Sequence, residues 1–136
     1  MTFALLLLLA QPDYVPECNE DAAEQGIQQE MNICAHRDFL IADAELNEQW
    51  AKTRALMKER DEQWNDGHSP DWDQRPGFFE TLLEAQRAWL TYRDAHCRSD
   101  GYFARGGSLE PLLVSTCKTA LTKARTEQLR ELAQTY

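Results

Sequence analysis

Three long stretches of the chain carry apolar side chains at steps of three and four residues, which places them on one face of an α-helix. The first stretch begins near Ile27 and ends at the helix-breaking sequence Asn65-Asp66-Gly67. Its stripe consists of Ile27, Met31, Cys34, Ala35, Phe39, Ala42, Leu46, Trp50, Thr53, Met57 and Trp64. No stretch of the sequence alternates with the period of two that is typical of a β-strand. The chain is therefore predicted to be all-α.

Two further helices are predicted after the first. The second follows a loop rich in Gly, Ser, Asp and Pro at residues 66–77, and its stripe consists of Phe78, Phe79, Leu82, Leu83, Gln86, Trp89, Leu90, Arg93 and Cys97. The third follows Arg105-Gly106-Gly107-Ser108, where Ser108 is predicted to be the N-cap. Its stripe consists of Leu113, Cys117, Ala120, Leu121, Ala124, Gln128 and Leu132. These patterns predict an antiparallel bundle of about three helices with one long N-terminal helix.

The cysteines Cys18, Cys34, Cys97 and Cys117 form an even set, which predicts two disulfides in an exported chain. Three pairings are possible, and the local one, Cys18–Cys34 with Cys97–Cys117, is favoured. A continuous helix would hold Cys18 and Cys34 about 24 Å apart, whereas a disulfide needs Cα atoms within about 7 Å. The chain must therefore reverse between them if they pair, and Gly26 is the expected reversal point. Each local disulfide would contribute about 3 kcal/mol.

Residues 1–10 contain five consecutive leucines and no charge. This run is too short to span a bilayer, which requires about 20 residues, but it fits the apolar part of a signal peptide. No Lys or Arg precedes it, which departs from the usual pattern. The chain is expected to be periplasmic or secreted. No membrane anchor is expected, because no Cys directly follows the leucines.

The composition is acidic, with 14 Lys and Arg against 23 Asp and Glu and a formal net charge of −9. That balance argues against nucleic acid as a partner, because binding to phosphate backbones requires a basic surface. It argues equally against an anionic membrane surface. A basic protein partner is favoured, since opposite charges steer association.

Two cysteines and two histidines offer the ligand types of a tetrahedral zinc site, namely Cys34, His36, His96 and Cys97. Their spacing is not that of a known zinc module, and disulfides would consume the thiols. A zinc-binding module is therefore the weakest functional alternative. No metal and no cofactor is expected.

Five polar residues lie on or beside the apolar stripes: Asp43, Asn47, Arg87, Arg93 and Asp94. They could form a catalytic cluster or a structural network of ion pairs between helices. Nothing in the sequence positions a nucleophile beside a base, and Arg–carboxylate pairs commonly link helices. The structural network is favoured, and the chain is predicted not to be an enzyme.

Candidate partner contacts are Trp72, Arg105 and Ser108. Trp72 lies in a polar loop with Pro70 and Pro76, where it either anchors a partner or caps the end of a helix pair. Arg105 and Ser108 belong to the Gly-Gly turn, which is either a contact loop or a plain turn that leads into a helix.

Three ordered motifs resemble the LprI-like lysozyme-inhibitor domain. They are Gln29-Glu30-Met31-Asn32 with Cys34-Ala35, Phe39, Ala42-Asp43 and Leu46-Asn47; Ala85-Gln86-Arg87-Ala88-Trp89-Leu90 with Tyr92-Arg93-Asp94-Ala95 and Cys97; and Gly106-Gly107-Ser108 with Pro111-Leu112, Cys117, Leu121-Thr122 and Arg125. The resemblance covers residues 18–132. It implies an exported bacterial helical domain with paired cysteines, but it identifies no inhibitory residues.

The resemblance implies a non-enzymatic binding protein that inhibits a lysozyme or another muramidase. A loop that docks in the cleft of such an enzyme would face two carboxylates, so it needs a neutral or basic tip. Arg105 is such a residue in the Gly-Gly turn. The alternative is a periplasmic helical interaction or scaffold module with an unrelated partner.

Overall fold

A computed structural model describes residues 14–66 and 70–134 of the chain. Its helices are α1 (Glu20–Glu24), α2 (Gln28–Asn65), α3 (Phe78–Gly101) and α4 (Glu110–Gln134), with a short 3-10 helix at Tyr102–Ala104. The described residues form no strand, and the all-α class with three long helices is confirmed. The predicted signal peptide at residues 1–10 lies outside the described residues.

The three long helices run up, down and up, so α2 and α4 are parallel and α3 is antiparallel to both. The side chain of Asn32, near the start of α2, donates to the Ser108 backbone oxygen at 2.9 Å, just before α4 begins. Further along, the Thr53 hydroxyl donates to the Leu129 backbone oxygen at 2.8 Å. We call the end where α2 and α4 begin the tip end, and the opposite end the open end.

The hydrophobic core lies between the three long helices. It consists of Leu46, Met57, Leu82 and Leu129, with Trp50, Phe79 and Trp89 packed against it. Thr53 and Thr122 are fully buried beside these apolar residues. A buried hydroxyl without a partner would be destabilising, so each is hydrogen-bonded: Thr53 donates to Leu129, and Thr122 accepts from Arg93. The core therefore contains polar groups that link specific helices.

The N-terminal segment reverses at Gly26, as predicted. Gly26 has a φ of +84°, a left-handed conformation that glycine adopts without steric cost. The reversal lays α1 against the beginning of α2 and brings the Cα atoms of Cys18 and Cys34 to 5.1 Å, within disulfide range. Cys97 and Cys117 pair in the same way, with Cα atoms 5.4 Å apart. Both favoured pairings are confirmed.

The beginning of α4 differs from the expectation. Ser108 was predicted to be the N-cap, but the helix begins at Glu110. The reason is an additional turn, in which the Glu110 N–H donates to the Gly107 backbone oxygen at 3.3 Å before the helical hydrogen bonds start. Ser108 therefore lies inside the turn, where its backbone oxygen accepts from Asn32.

Candidate functional site

The connection between α3 and α4 contains an exposed turn, residues 102–108, that we call the tip turn. Its first half is the 3-10 helix Tyr102–Ala104. Phe103 is 88% exposed and Tyr102 is 44% exposed. Large aromatic side chains that are exposed to solvent are frequent anchors for protein partners, because their burial in an interface contributes strongly to the free energy of binding.

Contacts within the tip turn fix its conformation. The Arg105 N–H donates to the Tyr102 backbone oxygen at 3.2 Å, and the Gly107 N–H donates to the Ala104 backbone oxygen at 2.8 Å. The Arg105 guanidinium lies over the Tyr102 ring, 4.5 Å from its centroid. These contacts hold the cation close to the exposed aromatic residues.

Further contacts tie the tip turn to the helices. The Gly106 N–H donates to the Glu110 carboxylate at 2.6 Å, and the Ser108 backbone oxygen accepts from Asn32 of α2. The last residue of α3, Gly101, packs so closely on α4 that a Cβ there would lie 2.5 Å from Val114 Cγ2. Because the turn is already ordered, it loses little conformational entropy when it binds a partner.

The disulfide Cys97–Cys117 joins α3 to α4 next to the tip turn. Cys97 is completely buried. The disulfide therefore fixes the separation of α3 and α4, the two helices that the tip turn connects.

A groove of about 650 Å³ lies beside the tip turn. Its lining combines apolar side chains from α2 and α4, such as Phe39 and Val114, with charged ones. Arg105 and Lys118 are the basic side chains of the lining, whereas Glu110 is its one carboxylate and already accepts from Gly106. The lining therefore contains two cations and one carboxylate, and Lys118 is also paired with Asp94 at 3.8 Å, on a chain whose net charge is −9.

Arg93 forms the centre of a polar cluster next to this groove. It is 7% exposed, and its Nη1 lies 3.2 Å from an Asp43 carboxylate oxygen and 3.4 Å from the Thr122 hydroxyl. Its Nε donates to Asp94 at 3.0 Å, and the guanidinium also lies 5.1 Å from the centroid of the Phe39 ring. Arg93 thus links α3 to both other long helices.

The structure brings together Asp43, Arg93 and Asp94 of the predicted network. Asn47 and Arg87 are exposed and lie outside this cluster among the described residues. Lys118 joins the edge of the cluster, 3.8 Å from Asp94, and was not identified from the sequence. The spacing along each helix did not reveal which charged residues of different helices meet.

Trp72 lies at the open end and is 79% exposed. The 24 residues of α3 separate it from the tip turn, a distance of about 36 Å along the helix, so Trp72 and Arg105 do not share one surface. The hydrogen bonds described for residues 70–75 all stay within that loop. Two of them run from the Arg75 side chain to the Asp73 carboxylate and lower the pKa of Asp73 to about 2.

The open end also contains a groove, of about 1380 Å³, whose lining includes Trp64, Phe78 and Leu132. The Trp64 and Phe78 rings meet edge to face with their centroids 6.5 Å apart. The Asp61 carboxylate of α2 accepts from the N–H groups of Phe78 at 2.7 Å and Phe79 at 3.0 Å. This side chain therefore caps the beginning of α3 from the neighbouring helix.

The zinc-module alternative is contradicted, because the sulfur atoms of all four cysteines are in disulfides. His36 and His96 instead lie against aromatic rings, with centroids 6.3 Å from Phe39 and 5.3 Å from Tyr92, respectively. Within residues 14–66 and 70–134, no group of three or more His, Cys, Asp or Glu side chains is arranged to hold a metal ion.

Phe103 is one of several large aromatic residues that suggest an interaction surface, but it was not among the partner contacts predicted from the sequence. It follows the last apolar position of the α3 stripe, so helical periodicity gave it no role. The signal that could have identified it is the pair Tyr102-Phe103 directly before a Gly-Gly turn, where a helix ends and its side chains are no longer covered by a neighbour.

The regions of the chain that match known proteins cover nearly the whole helical bundle. The family model described as lysozyme inhibitor LprI matches residues 18–129. The chain is also 40% identical over 131 residues to an uncharacterized protein of Rhizobium meliloti (strain 1021), covering 96% of this chain and 91% of that protein. No solved structure matches the chain. In the described part of the chain, no helix is long and apolar enough to cross a membrane.

Proposed function

Because this chain belongs to the lysozyme inhibitor LprI family, we propose that it is an exported protein that binds a lysozyme-type muramidase directly and inhibits it. The family match over residues 18–129 is the observation that carries this proposal. That range includes all four cysteines, α2, α3, the tip turn and α4 as far as Leu129.

The charge of the chain supports such a partner. Lysozyme-type enzymes are typically basic, and a chain with a net charge of −9 attracts a basic protein over a distance of about 10 Å at moderate ionic strength. Complementary charge mainly accelerates association and favours the correct partner. We therefore expect binding to weaken as salt is added.

The arrangement of polar groups supports binding rather than catalysis. Arg93, Asp43 and Asp94 are engaged with each other, and the cluster links helices rather than placing a nucleophile beside a base. The proposal therefore includes no chemical step on the partner. Inhibition results from occupying or covering a surface that the enzyme needs.

The candidate contacts lie at the two ends of the bundle. Arg105 and Ser108 are both in the tip turn, whereas Trp72 lies at the open end. A partner that touched both ends would have to span the length of α3. We therefore expect a compact interface to involve only one end of the bundle.

The experiment is a titration of the purified chain into a lysozyme assay that follows the lysis of a bacterial cell-wall suspension. We expect saturable inhibition at micromolar protein, and direct binding by calorimetry that weakens between about 50 and 300 mM salt. Absence of inhibition at micromolar excess would remove the proposal. If pull-down from a periplasmic extract then captured a specific protein other than a muramidase, the scaffold-module alternative would replace it.

A further inference from the structure

We infer that the tip turn is the inhibitory element, with Phe103 and Arg105 entering the carboxylate-lined catalytic cleft of the muramidase. This inference rests on the proposed function and names the surface and the kind of site that it fits. Three features of the structure lead to it: the exposure of Phe103, the sign of the local charge, and the rigidity of the turn.

Exposure makes Phe103 an anchor. It is the most exposed of the large apolar side chains in the described part of the chain, and it stands on a 3-10 helix next to the half-exposed Tyr102. Aromatic residues at the centre of an interface commonly contribute most of the binding energy. A flat apolar ring also suits a cleft that accommodates the flat faces of sugar rings.

The charge around Phe103 has the sign that the cleft requires. Glycoside hydrolases of this type place two carboxylates at the scissile bond, so an inserted loop gains from a cation. The Arg105 guanidinium can bind a carboxylate through two parallel hydrogen bonds. Lys118 lies in the adjacent groove, where it is paired with Asp94, so Arg105 is the cation on which the inference depends.

The pattern of charge over the whole chain fits the same site. The tip turn contains one cation, Arg105, and no carboxylate, whereas the net charge of the chain is −9. A basic enzyme with an acidic cleft has the reverse pattern. Docking the tip turn in the cleft therefore pairs opposite charges both at the centre and at the rim of the interface.

Trp72 fits the cleft less well, although its exposure is similar. It is flanked in sequence by Asp71 and Asp73, and only Asp73 is paired with a cation, Arg75, so insertion of this loop would bring the Asp71 carboxylate towards the carboxylates of the enzyme. Like charges placed together across an interface cost several kcal/mol. Trp72 therefore provides a matched control: an aromatic residue of comparable exposure in a loop with two carboxylates and one cation.

The test compares Phe103→Ala, Arg105→Glu and Trp72→Ala in the full chain, with lysozyme inhibition and calorimetric binding as readouts. We expect Phe103→Ala and Arg105→Glu each to weaken binding by roughly 30-fold, as for central interface residues, and Trp72→Ala to change it by less than about twofold. Phe103→Leu keeps an apolar side chain and should lose less than Phe103→Ala. All three sites are exposed, so unchanged thermal unfolding should accompany these effects.

Competition provides the second readout. A soluble oligomer of N-acetylglucosamine that occupies the enzyme cleft should raise the apparent Kd of the wild-type chain. If the wild type inhibits but the two tip variants bind as it does, or the oligosaccharide does not compete, the inference is overturned and the proposed function survives. If the wild type neither binds nor inhibits lysozyme, the proposed function fails and the inference fails with it.

Discussion

The two ends of the bundle each expose a large aromatic residue, Phe103 at the tip end and Trp72 at the open end, but they hold it differently. At the tip end, the disulfide Cys97–Cys117 joins the two helices that flank the turn, and the hydrogen bond between Asn32 and Ser108 connects the turn to α2. At the open end, the hydrogen bonds described for residues 70–75 are local to the loop. Exposure alone therefore does not distinguish a prepared binding surface from an uncovered loop.

The open end depends on noncovalent contacts between neighbouring helices. Asp61 caps α3 from α2, and Trp64 packs edge to face on Phe78. Such contacts fix where a helix begins without fixing the loop beyond it. Both ends thus have contacts between helices, but the disulfides lie towards the tip end, where we place the partner. Changes at the two ends should therefore have separable effects on stability and inhibition.

The largest effect is expected from Cys97→Ser/Cys117→Ser. Removing this disulfide should lower the free energy of unfolding by about 3 kcal/mol, because the denatured chain regains the freedom of a closed loop. Cys18→Ser/Cys34→Ser is the matched control, since the two pairs are separated by 20 and 16 residues, respectively. Denaturant unfolding should show similar losses. Amide hydrogen exchange in the tip turn should increase in the first variant only, and an equal increase in both would contradict the bracing role.

Asp61→Ala should produce the next largest effect, at the open end. It removes the acceptor for two N–H groups at the beginning of α3, which should cost about 1–2 kcal/mol. Asp61→Asn retains one acceptor oxygen and should cost less. Denaturant unfolding measures the loss, while lysozyme inhibition should stay within about twofold of the wild type. A large loss of inhibition with intact folding would break the proposed separation of the two ends.

Gly106→Ala should cost about 1 kcal/mol, because Gly106 has a φ of +79°, where a Cβ is unfavourable. Nothing lies within 4 Å of the added Cβ, so the cost is conformational rather than a clash. Gly26→Ala is the matched control, with a φ of +84° and equally open space. Both variants should lose similar stability in thermal unfolding. Only Gly106→Ala should weaken inhibition, and equal inhibition by the two would argue against the tip turn.

The smallest effect concerns the Asp73–Arg75 ion pair in the open-end loop. The Arg75 side chain holds the pKa of Asp73 at about 2, below the ordinary value of 3.8. A lowered pKa in the folded state means that the stabilisation is present above pH 3.8 and is lost as the pH falls through about 2. Carboxyl NMR titration should give this midpoint, and Arg75→Ala should raise it towards 3.8. An unchanged midpoint in that variant would contradict the assignment to Arg75.

The sequence predicted more of the fold than of the candidate site. The periodic stripes predicted the three long helices, and the distance argument predicted the reversal at Gly26 that joins Cys18 to Cys34. The N-cap prediction for Ser108 was wrong, because a hydrogen-bonded turn delays α4. Phe103 was not selected as a partner contact because helical periodicity describes covered faces, whereas Phe103 is exposed.

The sequence by itself determined what depends on neighbours along the chain: helix positions, the even set of cysteines, the acidic balance and the turn chemistry of its glycines. Local spacing fixes these features, since the period of a helix and the flexibility of glycine act over a few residues. The tertiary structure alone decided the parallel course of α2 and α4, the meeting of Arg93 with Asp43, and the separation of Trp72 from Arg105. These contacts join residues 50 to 76 positions apart, where packing rather than local preference selects the neighbours.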